Sequence, residues 1–275
     1  MIPIDFEKRI VLITGGTRGF GRSIAKEFAR GNASVVVTHR WGSVDESELR
    51  SEFEREGLAP PVVIESDVSD PQATRELMTQ LRDMKLPLHA VISNVAFAKI
   101  VRDLDDLTKN ALDLSLSYSA WPIVDLIQAA KSVLGVFPKY VIGISSDADR
   151  WCHTGYDLVG ASKAVLESLC RYLAVRLKPE GVRVNAIAPA IIDSESLRAT
   201  FGEAAAATLR EQGAILDASR AAKSCVALTS GLLDAVTGQT IIVDEGWCRV
   251  SPISIGTNTV GRFAFPEEEL LRRER

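Results

Sequence analysis

The stretch Ile10-Val-Leu-Ile-Thr-Gly15-Gly-Thr-Arg-Gly-Phe-Gly21 decides how the chain is read, and Arg22-Ser-Ile-Ala-Lys-Glu-Phe-Ala-Arg30 completes it. Ile10 to Thr14 has the length and apolar character of a buried strand, whereas Arg22 to Arg30 mixes apolar and charged residues at helical spacing. A strand, a glycine turn and a helix in this order form the setting in which a dinucleotide pyrophosphate is held. Gly15 permits the tight turn, Gly19 lets the backbone approach the phosphates, Gly21 allows close packing, and the helix N-terminus favours negative charge.

Working outward, Ala33 to Thr38 is predicted as the second strand, and His39-Arg40 follows where an adenosine ribose would lie. No carboxylate stands there to take a 2′-hydroxyl. Arg40 and Arg18 of the glycine turn would instead bracket a 2′-phosphate, so NADP(H) is expected in preference to NAD(H). Asp45 to Gly57 reads as a helix stopped by Pro60-Pro61, and Val62 to Glu65 as a third strand. Ser69-Asp70-Pro71 makes a good helix start for Gln72 to Met84. Leu88 to Ser93 is a fourth strand running into Asn94, Thr108 to Leu134 one long helical stretch, and Tyr140 to Ile144 a fifth strand. A helix from Tyr156 to Lys178 ends at Pro179-Glu-Gly, and Val182 to Pro189 is a strand entering a loop. A helix near Arg220 to Ser230 and a strand Gln239 to Val243 complete the core, and Pro266 onward is a charged terminus.

Composition bounds the alternatives. The chain has 275 residues, 46% hydrophobic and 25% charged, which are values of a globular protein, and one domain is expected. A net charge of −4 argues against a nucleic-acid surface. The N-terminus lacks the pattern of a leader, and no apolar run approaches the ~18 residues of a membrane span, so a cytoplasmic protein is expected. Cys152, Cys170, Cys225 and Cys248 lie far apart without Cys-x-x-Cys spacing, and His39, His89 and His153 are scattered. Reduced thiols and no metal site are the expectation.

The chemistry gathers in Ile144-Ser-Ser-Asp-Ala-Asp-Arg-Trp-Cys-His-Thr-Gly-Tyr-Asp-Leu-Val-Gly-Ala-Ser-Lys163. In a helix, Tyr156 and Lys163 stand two turns apart on one face, with Val159 between them, pointing back toward Ser145 and Ser146. Thr14-Gly-x-x-x-Gly-x-Gly21, this Ser with Tyr and Lys, and Gly181-Val-Arg-Val-Asn-Ala-Ile-Ala-Pro189 together resemble the short-chain dehydrogenase/reductase superfamily. The superfamily's usual Tyr four residues before Lys is here Val159, which holds no proton. The Tyr156-x6-Lys163 spacing, with Tyr-x2-Val-Gly-x-Ser-Lys-Ala-x-Leu-Glu and Ile-Asp-Ser-x-x-Leu, is similar to that of bacterial NADPH-dependent enoyl-[acyl-carrier-protein] reductases.

The resemblance implies a single-domain α/β fold over about residues 1–247: a three-layer αβα sandwich around a doubly wound parallel sheet (Rossmann fold) in the order 3-2-1-4-5-6-7. It implies a substrate lid at about 194–212 and an extension at 248–275. The cofactor would be held by Gly15, Thr17, Arg18, Gly19, Phe20 and Gly21, by His39 and Arg40, and by Asp67-Val68 at the adenine. Nearer the nicotinamide it would meet Asn94, Lys163, Pro189, Ile192 and Ser194. Asn94 stands in Ser93-Asn94-Val95-Ala96, which keeps one Asn of the family's Asn-Asn-Ala-Gly and loses its Gly, and Ser115-Leu-Ser-Tyr-Ser119 replaces an Asn that relatives use in a water relay to Lys. There Ser115 or Ser117 would hydrogen-bond locally.

The implied chemistry is NADPH-dependent reduction of an enoyl thioester carried on acyl carrier protein or CoA. Tyr156 would stabilise the enolate, Lys163 would hold the ribose and favour the ionised phenol, and Ser146 would bind the carbonyl. Trp151, Tyr118 and Phe97 are candidate pocket walls. A ketoreductase, a reductase or alcohol dehydrogenase of specialised metabolism acting on a non-acyl substrate, and a catalytically silent NADP(H)-binding protein are the alternatives. The Gln239 to Val243 strand, with the helix before it, would pair across an interface, making a dimer or tetramer.

Overall fold

The computed structural model describes residues 4–40, 45–149, 152–194, 197–198, 202–211 and 214–246. Seven strands form one sheet: β1 (Ile10–Ile13), β2 (Ser34–His39), β3 (Val62–Glu65), β4 (Leu88–Ser93), β5 (Tyr140–Ile144), β6 (Arg183–Pro189) and β7 (Thr240–Val243). Their order is β3-β2-β1-β4-β5-β6-β7 and every pairing is parallel, as expected. Parallel strands need crossovers, and eight described α-helices are available for them: α1 (Gly19–Arg30), α2 (Glu46–Arg55), α3 (Pro71–Asp83), α4 (Lys109–Ser119), α5 (Pro122–Leu134), α6 (Asp157–Leu177), α7 (Glu203–Glu211) and α8 (Ala218–Thr229).

The period of two along each strand builds the three layers. Val11 and Ile13 face one side with Val35 and Val37, where Ile24 and Phe28 of α1 and Ala222 and Cys225 of α8 cover them. Ile10, Leu12 and Val36 face the other side, against Leu77, Met78 and Leu81 of α3 and Leu126 of α5. Val141 and Val184 continue that side under Leu166 and Cys170 of α6. Both faces of β1, β4 and β5 are buried, which is why these strands read as continuous apolar runs. Caps agree with this layout. Asp45 accepts from Ser47 and Glu48 N–H, Asp70 accepts from Gln72 N–H ahead of Pro71, and Asp217 starts α8 in the same way.

The expected single helix from Thr108 to Leu134 is two. Pro122 has no N–H to bond the carbonyl of Tyr118, and its ring would collide with that carbonyl. The chain therefore leaves helical geometry at Ala120 (φ −121°, ψ −52°) and restarts with Pro122 in the first turn of α5. Residues 247–275, and with them Cys248 and the expected extension, lie outside the described residues, as does Trp151.

Candidate active site

All seven strands end on one edge, and the predicted site residues collect there. The glycine turn begins at Gly15 (φ +62°), where a Cβ would come within 2.9 Å of Val95 Cγ2. At Gly21 a Cβ would lie 2.3 Å from Gly15 O and 2.6 Å from Asn94 Nδ2, so no side chain fits there. Gly19 (φ +54°) faces open space, with Ser194 Cβ the nearest contact at 3.8 Å. No side chain caps α1, whose N-cap is Arg18, so the first N–H groups of α1 are left for an anion. Thr17 is buried under the turn. Asn94 braces it: Nδ2 donates to Thr14 O (2.9 Å) and Gly15 O (3.2 Å), and its N–H donates to Thr14 Oγ1 (2.9 Å).

At the β2 and β3 ends, His39 Nδ1 and Ser66 Oγ are buried with no hydrogen-bond partner. Arg40 Nε lies 2.9 Å from Asp67 Oδ2, and its guanidinium stacks 5.2 Å from the Tyr118 ring centre. Tyr118 Oη donates to Asp67 Oδ2 (3.3 Å), while Ser69 N–H and Oγ–H bond Asp67 Oδ1 at 2.9 and 2.8 Å. Arg40 and Asp67, expected to serve phosphate and adenine separately, are thus paired with each other. Val68 beside them is buried. Tyr118 is not a wall of the reaction cavity: its hydroxyl is drawn to Asp67 and its ring to Arg40. Phe97 is drawn away too, packing 6.0 Å from Tyr118 while its N–H donates to Ser119 Oγ (2.9 Å).

The other end holds a cavity of about 540 Å³, lined by Ser146, Tyr156, Val159 and Lys163 on one side and Phe20, Pro189, Ile192, Ser194, Leu197 and Leu209 on the other. The two serines part company here. Ser145 Oγ turns back to donate to buried Glu167 (2.7 Å), whereas Ser146 Oγ accepts the Ala148 N–H (2.9 Å) and keeps its proton to give. Tyr156 is the N-cap of α6, and buried Lys163 donates to Ile144 O at 2.7 Å. Burial depresses the Lys163 ammonium to about 8. The Tyr156 phenol is pushed up, by burial first and by the Asp147 charge second. The surroundings thus favour the protonated phenol, while Lys163 spends one of its three N–H donors on Ile144 O.

The sequence pattern of the family described as enoyl-(acyl carrier protein) reductase matches residues 15–248. The chain is a short-chain dehydrogenase/reductase. It is 28% identical to the 1-cyclohexenylcarbonyl-CoA reductase of Streptomyces collinus over 254 residues, covering 89% of each chain. It is 26% identical to the L-xylulose reductase of Bos taurus, over 87% of this chain and 96% of that one. A short chain dehydrogenase from Burkholderia cenocepacia J2315, solved in complex with NADP, superposes with a TM-score of 0.75 at 24% identity, over 88% of this chain and 98% of that one.

As a short-chain dehydrogenase/reductase the protein is an oxidoreductase, with departures at two expected positions. Val159, where the superfamily's usual Tyr would stand, is 1% exposed and apolar. Ser115 is fully buried with no partner for its hydroxyl, while Ser117 Oγ donates to Asp113 O (2.8 Å), so only the second serine bonds locally.

A pair missed in the sequence also lines the cavity: His153 Nε2 lies 3.0 Å from Asp147 Oδ1. Its signal was there, since both residues fall between Ser146 and Tyr156, but His153 was weighed only as a metal ligand. Over the cavity, Leu197, Thr208 and Leu209 come from the lid region. Asp193 holds that region by accepting Arg210 Nε (2.8 Å) and Nη2 (3.1 Å) and by pairing with Arg198. Residues 195–196, 199–201 and 212 of the expected lid lie outside the described set.

Proposed function

We propose that this protein reduces α,β-unsaturated thioesters with NADPH. The observation that carries the proposal is the side-chain exchange at the cavity. Buried Val159 fills the position four before Lys163, and Tyr156 offers the phenol in the same cavity as Ser146 and Lys163. The cofactor's seat is supported by the uncapped start of α1, by Gly21 with its missing Cβ space, and by unpartnered His39 Nδ1 close to Arg40 at the 2′-phosphate position. When bound, NADPH supplies the hydride that reaches the β-carbon. The chain's residues do the rest. Lys163 and Asn94 would hold the ribose and nicotinamide, and Ile192 and Ser194 would receive the carboxamide. Tyr156 donates a hydrogen bond or proton to the thioester oxygen as charge develops there, which its raised phenol favours over carrying a charge itself. The acyl group lies along Phe20, Leu197 and Leu209, and carriage on CoA or acyl carrier protein fits an open cavity of about 540 Å³.

The test is NADPH oxidation by the purified protein with 2-enoyl thioesters, 3-oxoacyl thioesters and a ketose. Preference for the enoyl series is expected, and turnover of carbonyl substrates alone would overturn the reading. Ketone reduction is the second reading, because Ser146 keeps a donor hydrogen facing the cavity. We also infer self-association. Val165, Tyr172 and Val175 form an exposed stripe at helical spacing on α6, and Leu232 and Leu233 are exposed ahead of β7, surfaces a second copy would cover. Light scattering at micromolar concentration is expected to give a dimer or tetramer.

A further inference from the structure

We infer that Asp147 and His153 are the proton supply of Tyr156: the imidazole, oriented by the carboxylate, carries solvent protons to the phenol after each turnover. The inference rests on the reading of Tyr156 as the group that gives up a proton. His153 Nε2 sits 3.0 Å from Asp147 Oδ1, and the side chains are 32% and 16% exposed, so the pair runs from solvent into the cavity wall. The imidazole meets the Tyr156 ring edge-on, 6.3 Å between centres at 75°, and both side chains line the same cavity, where water can link them. The pair is held from both sides. Ala148 N–H bonds Ser146, and Ala148 O presses on α6 so closely that a Cβ at Gly160 would lie 2.6 Å from it. His153 O accepts the Tyr156 N–H at 3.0 Å, tying the imidazole's backbone to the phenol's.

The chemistry requires such a group. Once Tyr156 has released its proton, a phenolate is left in a half-buried position beside a carboxylate, and both conditions oppose it. Lys163 already gives one N–H to Ile144 O, and Ser115 lies buried without a partner. Histidine is the side chain whose ordinary titration lies nearest neutrality. In the step proposed, one proton leaves Nδ1 of the imidazolium and joins the phenolate oxygen. The imidazole becomes neutral, Asp147 stays ionised and keeps accepting Nε2–H, and water reloads the ring. Among the described residues, the ionisable groups that line the cavity with the imidazole are Asp147, Tyr156 and Lys163. Across the cavity, Ala96, Ala98, Leu197, Thr208 and Leu209 bring none. Among the described residues, no third His, Cys, Asp or Glu joins the pair to make a metal site.

The test uses whichever substrate the wild-type protein turns over, so a wrong substrate class sinks the proposed function without touching this one. His153→Gln keeps a donor for Asp147 but carries no proton. Its kcat is expected to fall about tenfold or more, with KM within about twofold. Added imidazole should restore kcat, and the alkaline limb of the pH profile, where the imidazolium is lost, should move. Asp147→Asn should move the same limb with a smaller loss, and it serves as the test if the first variant does not fold. Unchanged kcat and pH profile, or a loss that imidazole does not rescue in a folded variant, would overturn the proposal.

Discussion

The two ends of the cleft treat their polar groups in opposite ways. At the adenosine end, Arg40, Asp67 and Tyr118 satisfy one another, so a 2′-phosphate must draw Arg40 at least partly from a partner it already has. At the reaction end, Ser146, Tyr156 and the Asp147–His153 pair line the cavity, on a turn and helix fixed by backbone contacts. Recognition is thus poised on an exchangeable pair, whereas the chemistry stands on a rigid frame. Losses at the reaction end should therefore appear in turnover, and losses at the other end in binding.

The comparison breaks most sharply at Tyr156. Tyr156→Phe keeps the ring and should lower kcat by roughly a hundredfold or more while leaving NADPH affinity unchanged. Near-normal turnover would move the acid role to Ser146. Next comes Lys163, set at about 8 by burial. Above that pH the ammonium is lost, so kcat should fall about tenfold per pH unit. Stability should move the other way. The unfolded lysine, with a pKa of ~10.4, binds more protons than the folded one between these two values, and the sign of that difference makes thermal stability rise with pH across the window. Parallel kcat and melting series over the alkaline range check both directions.

At the adenosine end, Arg40→Ala should weaken NADPH by about 1 to 3 kcal/mol and leave NADH nearly unchanged, the scale of a charge-assisted hydrogen bond. Asp67→Asn sharpens the contrast: releasing Arg40 should tighten NADPH by a few-fold at low salt, read by fluorescence titration, and equal shifts for both cofactors would remove the assignment. The smallest effect is expected at the lid. Arg210 first, with Arg198, holds the Asp193 carboxyl below its usual range. The clasp is therefore complete at neutral pH and is lost only as pH falls through that lowered value. Both partners are more than a third exposed, so Asp193→Asn should do no more than raise KM a few-fold and mimic high salt.

Much of this arrangement was legible in the chain because it depends on local rules. The unbroken apolar runs Ile10 to Ile13 and Val35 to Val37, the glycines of the turn, and Pro71 behind Asp70 each dictate geometry within a few residues. The break at Ala120 obeys such a rule too, and Pro122 was the sign of it. Contacts between distant residues were hidden. Arg40 and Asp67 are separated by a helix and a strand, and only the sheet order makes them neighbours. Tyr118 and Phe97, read as cavity walls because they are large and aromatic, are placed by that same neighbourhood. Ser145 and Ser146 could not be told apart until their hydrogen bonds were known, Ser145 donating to Glu167 and Ser146 accepting from Ala148 N–H.

Asn94 carries a lesson for anyone wishing to retune the substrate. Its carboxamide fastens the carbonyls of Thr14 and Gly15 and also forms part of the cavity wall. Enlarging the cavity by trimming this residue would unfasten the turn that seats the pyrophosphate, trading cofactor affinity for space. Neither Leu197 nor Leu209 is a partner of Thr14 or Gly15 in that fastening, so exchanging their side chains is expected to reshape the cavity without loosening the turn.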